Sequence, residues 1–446
     1  MAIKANDVPA LGYVQYSIDT QKDSHKETAD KKVLENKYYT IEVEENGSLT
    51  IVDKANNVTY KNQGILVENG DDGDSFNYSP PRKDMEVFSN ESKCTVKISG
   101  SDIYDQAEIH FDMVVPADLD ERAEGKVSVT MLVDMTVALR KDSKVIDFNV
   151  KVDNKGLSHR LCVLFDSQIV SAFNYADQQF GLIKRPNYYE KEMKLYMESM
   201  NNKTEKKAGI QELANWANDQ STWQEPPISI EPTQSYVSLT DGKTGIAVIP
   251  QGVREYEVLD DSKIRLTLFR TYGFMGKENL IYRPGRASGE RIIETPAAQL
   301  LKEMEFNFGF TSYAGDINDS DIDTLAKQYN TNLEVYTYAE FLNGRLIFSQ
   351  REIEGQNAKI HSLFETEGNL VVSAVKKAEE DDGYIIRLYN GKDHKDLDDK
   401  IKFNFDIKEA YYTNLKEEKT EEIKVENNTI SVKELSHCKF VTIWVK

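Results

Sequence analysis

The chain has 446 residues, of which 39% are hydrophobic and 29% charged, a balance typical of globular rather than disordered proteins. Its 75 acidic and 55 basic residues give a formal net charge of −20, and a surface this acidic repels phosphate backbones and anionic lipids, so we expect neither a nucleic-acid nor a membrane partner. No run approaches the roughly 20 apolar residues of a membrane-spanning helix, and the first nine residues lack the apolar segment of a signal peptide.

Alternating apolar and polar residues, the pattern of half-buried β-strands, recur along the first three quarters of the chain. Residues 39–43 alternate before an Asn-Gly turn. Residues 127–139 are apolar at odd positions, and residues 146–152 alternate after a polar turn, which predicts a long antiparallel hairpin. The segments 264–268 and 304–310 are further predicted strands, rich in β-branched and aromatic residues.

Helical patterns are few. Residues 321–329 predict one short helix, with Asp319 or Asp321 as its cap. The polar segment 187–222, rich in Lys and Glu, predicts a surface insertion with helical pieces at 190–200 and 206–217.

Residues 330–340 have the composition of a connector between two domains. Short, regularly spaced strands are predicted after it, which is typical of a small β-sandwich; they lie at 345–348, 369–375, 384–389, 401–405, 429–432 and 440–445. The prediction is therefore all-β, with a large two-sheet domain over residues 1–333 and a C-terminal β-sandwich over residues 334–446.

The three cysteines, Cys94, Cys162 and Cys438, are too few and too dispersed for a disulfide framework, and without a Cys-x-x-Cys pair they do not predict a thiolate zinc site. A reducing compartment, the cytoplasm, fits this usage. The sequence also lacks a nucleophile elbow and a phosphate-binding loop.

His110 and Asp112 would point to the same face of a strand, where both could bind a metal ion. Two ligands do not complete a zinc site, however. Since Ile109, Phe111 and Met113 occupy the opposite parity, the simpler interpretation is that His110 and Asp112 belong to the solvent face of a sheet.

The segment 69–81 joins an acidic, Gly-rich turn to two aromatic residues and a double proline. One hypothesis is a shaped loop that presents Phe76 or Tyr78 to a polar ligand. The alternative is a surface turn before an edge strand, and the segment alone does not decide between them.

Three arginines are candidate ligand-binding residues. Arg270 has the parity of an apolar strand face, so its charge must be paired or must line a cleft. Arg283 and Arg286 flank a Pro-Gly turn and offer multidentate donors suited to sugar hydroxyls or to a carboxylate. In so acidic a chain, neutralisation of neighbouring acids is the alternative.

A collinear set of segments resembles the region that follows the catalytic domain in glycoside hydrolase family 38 α-mannosidases, and most closely its bacterial branch, which includes mannosylglycerate hydrolase. The resemblance extends over nearly the whole chain and rests on residues 7–13, 34–39, 73–80, 159–165, 179–186, 251–258, 283–289, 295–299, 373–379 and 386–390.

The resemblance implies a galactose-mutarotase-like supersandwich followed by the terminal β-sandwich. It further implies that a retaining, exo-acting α-mannosidase places its Asp nucleophile and its zinc ion, held by two His and two Asp, in an N-terminal catalytic domain. None of those motifs occurs in this sequence. We therefore expect no catalytic residue and no metal site in this chain, and no mannosidase activity from it alone.

By the same resemblance, the β region lends a few groups to the substrate cleft. These would be the aromatic residue Phe76 or Tyr78, and an arginine, Arg283 or Arg286, with Arg270 as a weaker candidate. The expected partners are the enzyme's own catalytic domain and an α-mannoside or mannosylated glycan or glycerate; a homo-oligomer is a further possibility.

Two other functions stay open at this point. The chain could be a sugar-binding module, or a mutarotase-type aldose epimerase. The epimerase would need a His acid and a carboxylate base in one cleft, with His159 and His110 as its candidates.

Overall fold

The computed structural model describes residues 5, 7–16, 28–29, 33–202, 225–283, 292–335, 360–393 and 395–446. It divides into two compact units. The larger unit comprises His25–Asp177 and Lys184–Asn330, and the smaller comprises Met1–Ser24, Gln178–Ile183 and Thr331–Lys446. None of the described helices is long and apolar enough to cross a membrane.

Strands dominate both units. Those in the first part of the chain are Gly12–Val14 (β1), Thr28–Ala29 (β2), Val33–Glu35 (β3), Tyr39–Val43 (β4), Leu49–Asp53 (β5), Val58–Gln63 (β6), Ile65–Gly70 (β7), Val87–Phe88 (β8), Lys93–Gly100 (β9), Tyr104–Val115 (β10), Val129–Arg140 (β11) and Ile146–Asp153 (β12). Those in the middle part are His159–Asp166 (β13), Phe173–Gln178 (β14), Gly181–Pro186 (β15), Glu231–Pro232 (β16), Val237–Thr240 (β17), Thr244–Gln251 (β18), Glu255–Leu259 (β19), Lys263–Arg270 (β20), Phe274–Met275 (β21), Ile293–Glu294 (β22) and Glu303–Ala314 (β23).

The last part of the chain contributes Ile360–Ser362 (β24), Phe364–Thr366 (β25), Val371–Lys377 (β26), Tyr384–Tyr389 (β27), Leu397–Phe403 (β28), Ala410–Thr413 (β29), Lys419–Ile423 (β30), Thr429–Leu435 (β31) and Phe440–Val445 (β32). The α-helices are Leu119–Glu124 (α1), Glu190–Asn202 (α2) and Ile322–Asn330 (α3), and single 3₁₀ turns lie at Ser89–Glu91, Pro296–Gln299 and Ile317–Asp319.

The larger unit is built from antiparallel sheets. Within the described residues, a ten-stranded sheet has the order β15-β14-β17-β18-β23-β12-β11-β10-β9-β2, and a six-stranded sheet has the order β16-β19-β20-β13-β7-β8. A four-stranded sheet, β3-β4-β5-β6, and a two-stranded sheet, β21-β22, lie in the same unit. One hydrophobic core receives side chains from the ten-, six- and four-stranded sheets, among them Ile41, Met135 and Val163, each fully buried.

The smaller unit is a β-sandwich. A five-stranded sheet, β26-β27-β32-β29-β30, and a three-stranded sheet, β25-β28-β31, share a core that includes Ile386, Ile401, Ile430 and Ile443. The predicted all-β fold, with a separate C-terminal β-sandwich, is confirmed.

The individual elements mostly follow the predictions. The long hairpin is formed by β11 and β12, with Val137 opposite Phe148, and α3 begins one residue after the predicted start of its helix. Helix α2 begins at the predicted residue, Glu190. The predicted helix at 206–217 and the predicted strand at 345–348 lie outside the described residues.

Candidate functional site

The loop after β7 is organised by two buried carboxylates. One oxygen of Asp71 accepts the Gly73 amide at 2.8 Å, and one oxygen of Asp74 accepts the amides of Phe76 and Asn77 at 2.9 and 3.1 Å. Aspartate side chains favour such turns because they hydrogen-bond the backbone two or three residues ahead. Both carboxylates are buried, so each also requires a compensating charge.

Arg270, at the end of β20, supplies the charge for Asp71. Its Nε donates to Asp71 at 2.6 Å, and its Nη2 donates to the main-chain carbonyls of Asp74 and Asn77 at 2.9 and 2.8 Å. The Arg270 guanidinium therefore connects Asp71, near the start of the loop, with Asp74 and Asn77 further along it. Gly73 lies so close that an added Cβ would stand 2.1 Å from the Asn77 carbonyl oxygen, which explains a glycine there.

Arg283 supplies the charge for Asp74. This side chain is 4% exposed, ion-pairs with the Asp74 carboxylate, and donates to the Asn77 side chain and to the Lys277 carbonyl. The Lys277 amide in turn donates to Asp74 at 2.8 Å. Two Arg–Asp pairs thus fasten the loop to β20 and to the segment after β21.

Burial and the contacts with arginine and amide groups shift the pKa values of the two acids in opposite directions. Burial raises the pKa of Asp71, although the Arg270 guanidinium counteracts this shift. Burial would also raise the pKa of Asp74, but the hydrogen bonds from Arg283 and from the amides of Asn77 and Phe76 outweigh it, so that the pKa of Asp74 is lowered. Asp74 is therefore ionised at neutral pH and holds its amide donors firmly.

Tyr78 lies inside this arrangement. Its side chain is buried, its hydroxyl accepts from the Asn69 amide group at 3.1 Å, and the Arg160 guanidinium stands over its ring at 3.9 Å from the centroid. Tyr282 meets the same ring edge-on at 6.0 Å. Burial raises the pKa of Tyr78 well above its ordinary value. The geometry makes Tyr78 a packing residue of the loop.

Phe76 differs from Tyr78 in that its ring is 57% exposed, although it lies between Asp74 and Asn77, whose side chains hold the loop. An exposed aromatic ring on a fastened loop is available for contact with another molecule at little cost in conformational entropy. Of the two aromatic candidates, Phe76 is the one whose ring faces outward. Arg286 lies outside the described residues.

A second charged layer, which the sequence did not predict, covers the face of the six-stranded sheet that points away from the core. Arg160 and Arg265 both ion-pair with Glu257, at 3.0 and 2.6 Å, and Arg265 also pairs with Glu86 at 2.9 Å. One residue of each of β13, β19 and β20 contributes to this layer, namely Arg160, Glu257 and Arg265. Their parity opposite to the apolar residues was the available signal, but such parity ordinarily indicates solvent exposure.

His159 forms a buried pair with a carboxylate. Its Nδ1 lies 2.9 Å from Glu68 and its Nε2 lies 2.8 Å from the Asn154 side-chain oxygen. Arg122 also pairs with Glu68. Since His159 and Glu68 are 1% and 0% exposed, a substrate cannot reach them, and the pair does not form the accessible acid–base site of an epimerase.

His110 lies on the outer face of the ten-stranded sheet. Its Nδ1 is 2.7 Å from Asp134 and its Nε2 is 3.2 Å from Asp112, which also pairs with Lys93 at 2.8 Å. The hydrogen bond with Asp134 raises the pKa of His110. This is a surface charge cluster across neighbouring strands.

No three His, Cys, Asp or Glu side chains in the described part of the chain lie close enough together to hold a metal ion. The zinc ion that the resemblance implies has no ligand set there. All three cysteines are free thiols.

Comparison with known protein families identifies the family of this chain. Residues 34–274, more than half of the chain, match the glycosyl hydrolases family 38 C-terminal domain, and residues 369–442 match the family 38 C-terminal beta sandwich domain. The chain belongs to glycosyl hydrolase family 38. It is the C-terminal part of such a protein, as the resemblance predicted.

Individual relatives agree with the family 38 assignment. A protein of Halalkalibacterium halodurans named "Putative mannosylglycerate hydrolase" is 24% identical over an alignment of 420 residues, and the match covers 90% of this chain and 40% of that protein. Two solved structures from Enterococcus faecalis, a glycosyl hydrolase family 38 protein and an alpha-mannosidase, are 20% and 21% identical, each with a TM-score of 0.71, and share the fold. The two matches cover 97% and 95% of this chain, but only 46% and 43% of the two solved structures. It spans less than half the length of each of these relatives.

Proposed function

We propose that this chain is the non-nucleophilic C-terminal part of a retaining, zinc-dependent α-mannosidase that hydrolyses terminal α-mannosyl linkages. Its role is to complete the substrate cleft and to stabilise a catalytic domain that carries the nucleophile and the zinc ion. Membership of family 38 and the names of the relatives support the activity. The substrate is an α-mannoside, either a mannosylated glycan or a glycerate conjugate, and the enzyme works in the cytoplasm.

The observation that carries the cleft role is the exposure of Phe76 on a loop fixed by two buried ion pairs. The apolar face of a sugar ring packs on an aromatic side chain, and a ring that is already immobilised loses little entropy on binding. Arg270 and Arg283 act as positioning residues, because the hydrogen bonds of Arg270 go to residues of the loop and those of Arg283 go to the loop and to the Lys277 carbonyl. Tyr78 stabilises the loop through its buried ring, which contacts Arg160, and through its hydroxyl, which contacts Asn69.

The chemistry constrains the rest of the proposal. Retaining hydrolysis needs two carboxyl groups roughly 5–5.5 Å apart, one as nucleophile and one as acid/base. Asp71 and Asp74 do not offer that pair, because both are buried and each is bound to an arginine, and the neighbouring Asp72 is paired with Lys277. The bond-breaking groups therefore belong to the proposed catalytic domain, and this chain contributes binding surface.

The test uses the complete enzyme, meaning this chain together with that catalytic domain, and a nitrophenyl α-mannoside as substrate. Phe76→Ala is expected to raise KM about tenfold, equivalent to about 1.4 kcal/mol of lost binding, with a smaller change in kcat. Val170→Ala removes another apolar side chain that is 80% exposed and should leave both constants unchanged. Identical kinetics for the two variants would remove Phe76 from the cleft.

A further inference from the structure

A cysteine, a histidine and an aspartate form a connected group in the smaller unit. The Sγ atom of Cys438 lies 3.2 Å from Nε2 of His437, and the other ring nitrogen, Nδ1, lies 3.5 Å from a carboxylate oxygen of Asp393. We call these three residues the thiol cluster. A nucleophile that contacts a base, with the base oriented by a third group, is the arrangement that activates thiols for reaction.

The imidazole of His437 stands between the other two groups of the thiol cluster. Because the thiol and the carboxylate contact different ring nitrogens, they do not converge on one point, and in the described part of the chain they do not form a metal-ligand set. The same order suits proton transfer. Asp393 favours the proton on Nδ1, which leaves the lone pair of Nε2 to accept the proton of Cys438.

The main chain holds Cys438 in a fixed position. Its φ angle is 60°, in the left-handed region that residues other than glycine seldom adopt. Its amide donates to the Asn390 carbonyl at 3.0 Å, and the Asn390 amide donates to the Lys439 carbonyl at the same distance. Asn390 is fully buried, and its side chain donates to the Leu435 carbonyl at 2.8 Å. A buried residue therefore keeps the thiol beside its base.

The cysteine side of the thiol cluster is open to solvent. Cys438 is exposed, whereas the side chains of His437 and Asp393 are 30% and 11% exposed. The tip of the β14–β15 hairpin belongs to the same unit and passes beside the cluster. A Cβ added at Gly181 would stand 2.8 Å from Nε2 of His437 and 3.0 Å from Sγ. The glycine therefore leaves the space beside the reacting atoms unfilled.

The surroundings of Cys438 keep the thiol protonated at rest. Burial and the Asp393 carboxylate raise the pKa of the thiol, while Lys439 acts in the opposite direction. The resting group is therefore a neutral thiol at neutral pH, and its S–H donates to Nε2 of His437. Such a thiol reacts by passing its proton to the base as the new bond forms, so His437 is required for its reactivity.

We propose that Cys438 is a site of reversible S-thiolation by low-molecular-weight disulfides of the oxidised glutathione class. His437 accepts the thiol proton while Sγ attacks one sulfur of the disulfide, the disulfide bond breaks, and the departing thiolate takes the proton from His437. The sulfur of Cys438 is oxidised and the released thiol is reduced, so the exchange needs no other reactant. Asp393 is a positioning residue, because it acts through His437.

The first experiment measures the rate at which this chain reacts with dithiodipyridine, a neutral disulfide, as a function of pH. His437→Asn should slow the reaction of Cys438 about a hundredfold at pH 7, as the loss of a general base does, and leave it unchanged near pH 10, where hydroxide removes the thiol proton. His361→Asn is the matched control, because His361 is another exposed histidine of the smaller unit, and it should not change the rate. Peptide mass spectrometry assigns the reacting cysteine.

The second experiment incubates the chain with oxidised glutathione. The adduct should form on Cys438 before Cys94, which is less exposed and has no described histidine contact, and dithiothreitol should remove it. Circular dichroism checks that each variant folds. Gly181→Ala keeps all three groups of the cluster but fills the space beside them, and it should also slow the reaction at neutral pH.

Two results would overturn the S-thiolation proposal. One is a His437→Asn chain that is folded and reacts as fast as the parent chain at neutral pH. The other is an adduct on Cys94 while Cys438 stays unmodified. Neither readout depends on hydrolysis of α-mannosides, so the outcome is separate from that of the proposed function.

Discussion

Arg283 and Asp74 are 209 positions apart in the chain and form an ion pair in which neither side chain is more than 5% exposed. The pair connects the loop that carries Phe76 to the segment that carries Ile281. Because a buried charge is costly without its partner, the loss of either side chain would disturb the geometry of the candidate site.

The first prediction concerns this ion pair. Arg283→Met leaves the Asp74 carboxylate buried without its guanidinium, which should lower the free energy of unfolding by about 3 kcal/mol. Denaturant titration followed by circular dichroism measures the change. Arg254→Met is the control, because Arg254 is exposed and contacts Gln234 at the surface, and it should cost less than about 0.5 kcal/mol. Equal losses of unfolding free energy in the two variants would show that the buried ion pair contributes no more to stability than the exposed arginine does.

The second prediction separates the two aromatic residues of the loop. Tyr78→Ala removes a buried ring together with its contact to Arg160, and should cost about 3 kcal/mol of stability. Phe76→Ala removes a largely exposed ring and should change stability by less than about 0.5 kcal/mol. The same titration measures both. A large loss with Phe76→Ala would mean that its ring supports the fold rather than a ligand.

A third prediction follows from the close packing at Gly73. An alanine Cβ there would stand 2.1 Å from the Asn77 carbonyl oxygen, so Gly73→Ala must displace the loop, at a cost of about 1–3 kcal/mol. At Gly391 the nearest atom to an added Cβ is 3.4 Å away, and Gly391→Ala should be tolerated. Thermal unfolding of the two variants compares them, and the account is contradicted if both have the same melting temperature.

The fourth prediction concerns pH. The pKa of His110 is raised by Asp134, so protonation of His110 stabilises the folded chain. That contribution is complete below the unfolded pKa of about 6.5 and is lost as the pH rises through the higher folded pKa. His110→Gln should therefore lower stability at pH 5.5 and be nearly neutral at pH 9. NMR titration of the imidazole gives the pKa directly, and Asp134→Asn should bring it down.

Period-two patterns predicted the large-sheet strands because one face of each is buried. In residues 131–139 the burial of the side chains alternates strictly, and the odd positions are fully buried. The edge strand β30, Lys-Thr-Glu-Glu-Ile, was missed because its residues before Ile423 are exposed and polar. Helix α1 was also missed, although Asp118 caps its start and Gly125, in the left-handed conformation, caps its end.

The candidate site was less predictable than the fold. The sequence indicated Phe76, Tyr78, Arg270 and Arg283, but exposure along a loop has no period, so it could not distinguish the outward ring of Phe76 from the buried ring of Tyr78. Nor could it pair Arg283 with Asp74 across 209 positions, because that contact depends on how β20 and β7 are placed by the sheet. The family resemblance located the segments, and the structure supplied the contacts.

The central claim is that this chain contributes a binding surface while another domain breaks the glycosidic bond. The most direct test is hydrolysis of a nitrophenyl α-mannoside by this chain alone, with and without added zinc, beside the complete enzyme. The account predicts turnover by the complete enzyme only. Zinc-dependent turnover by the isolated chain would contradict it.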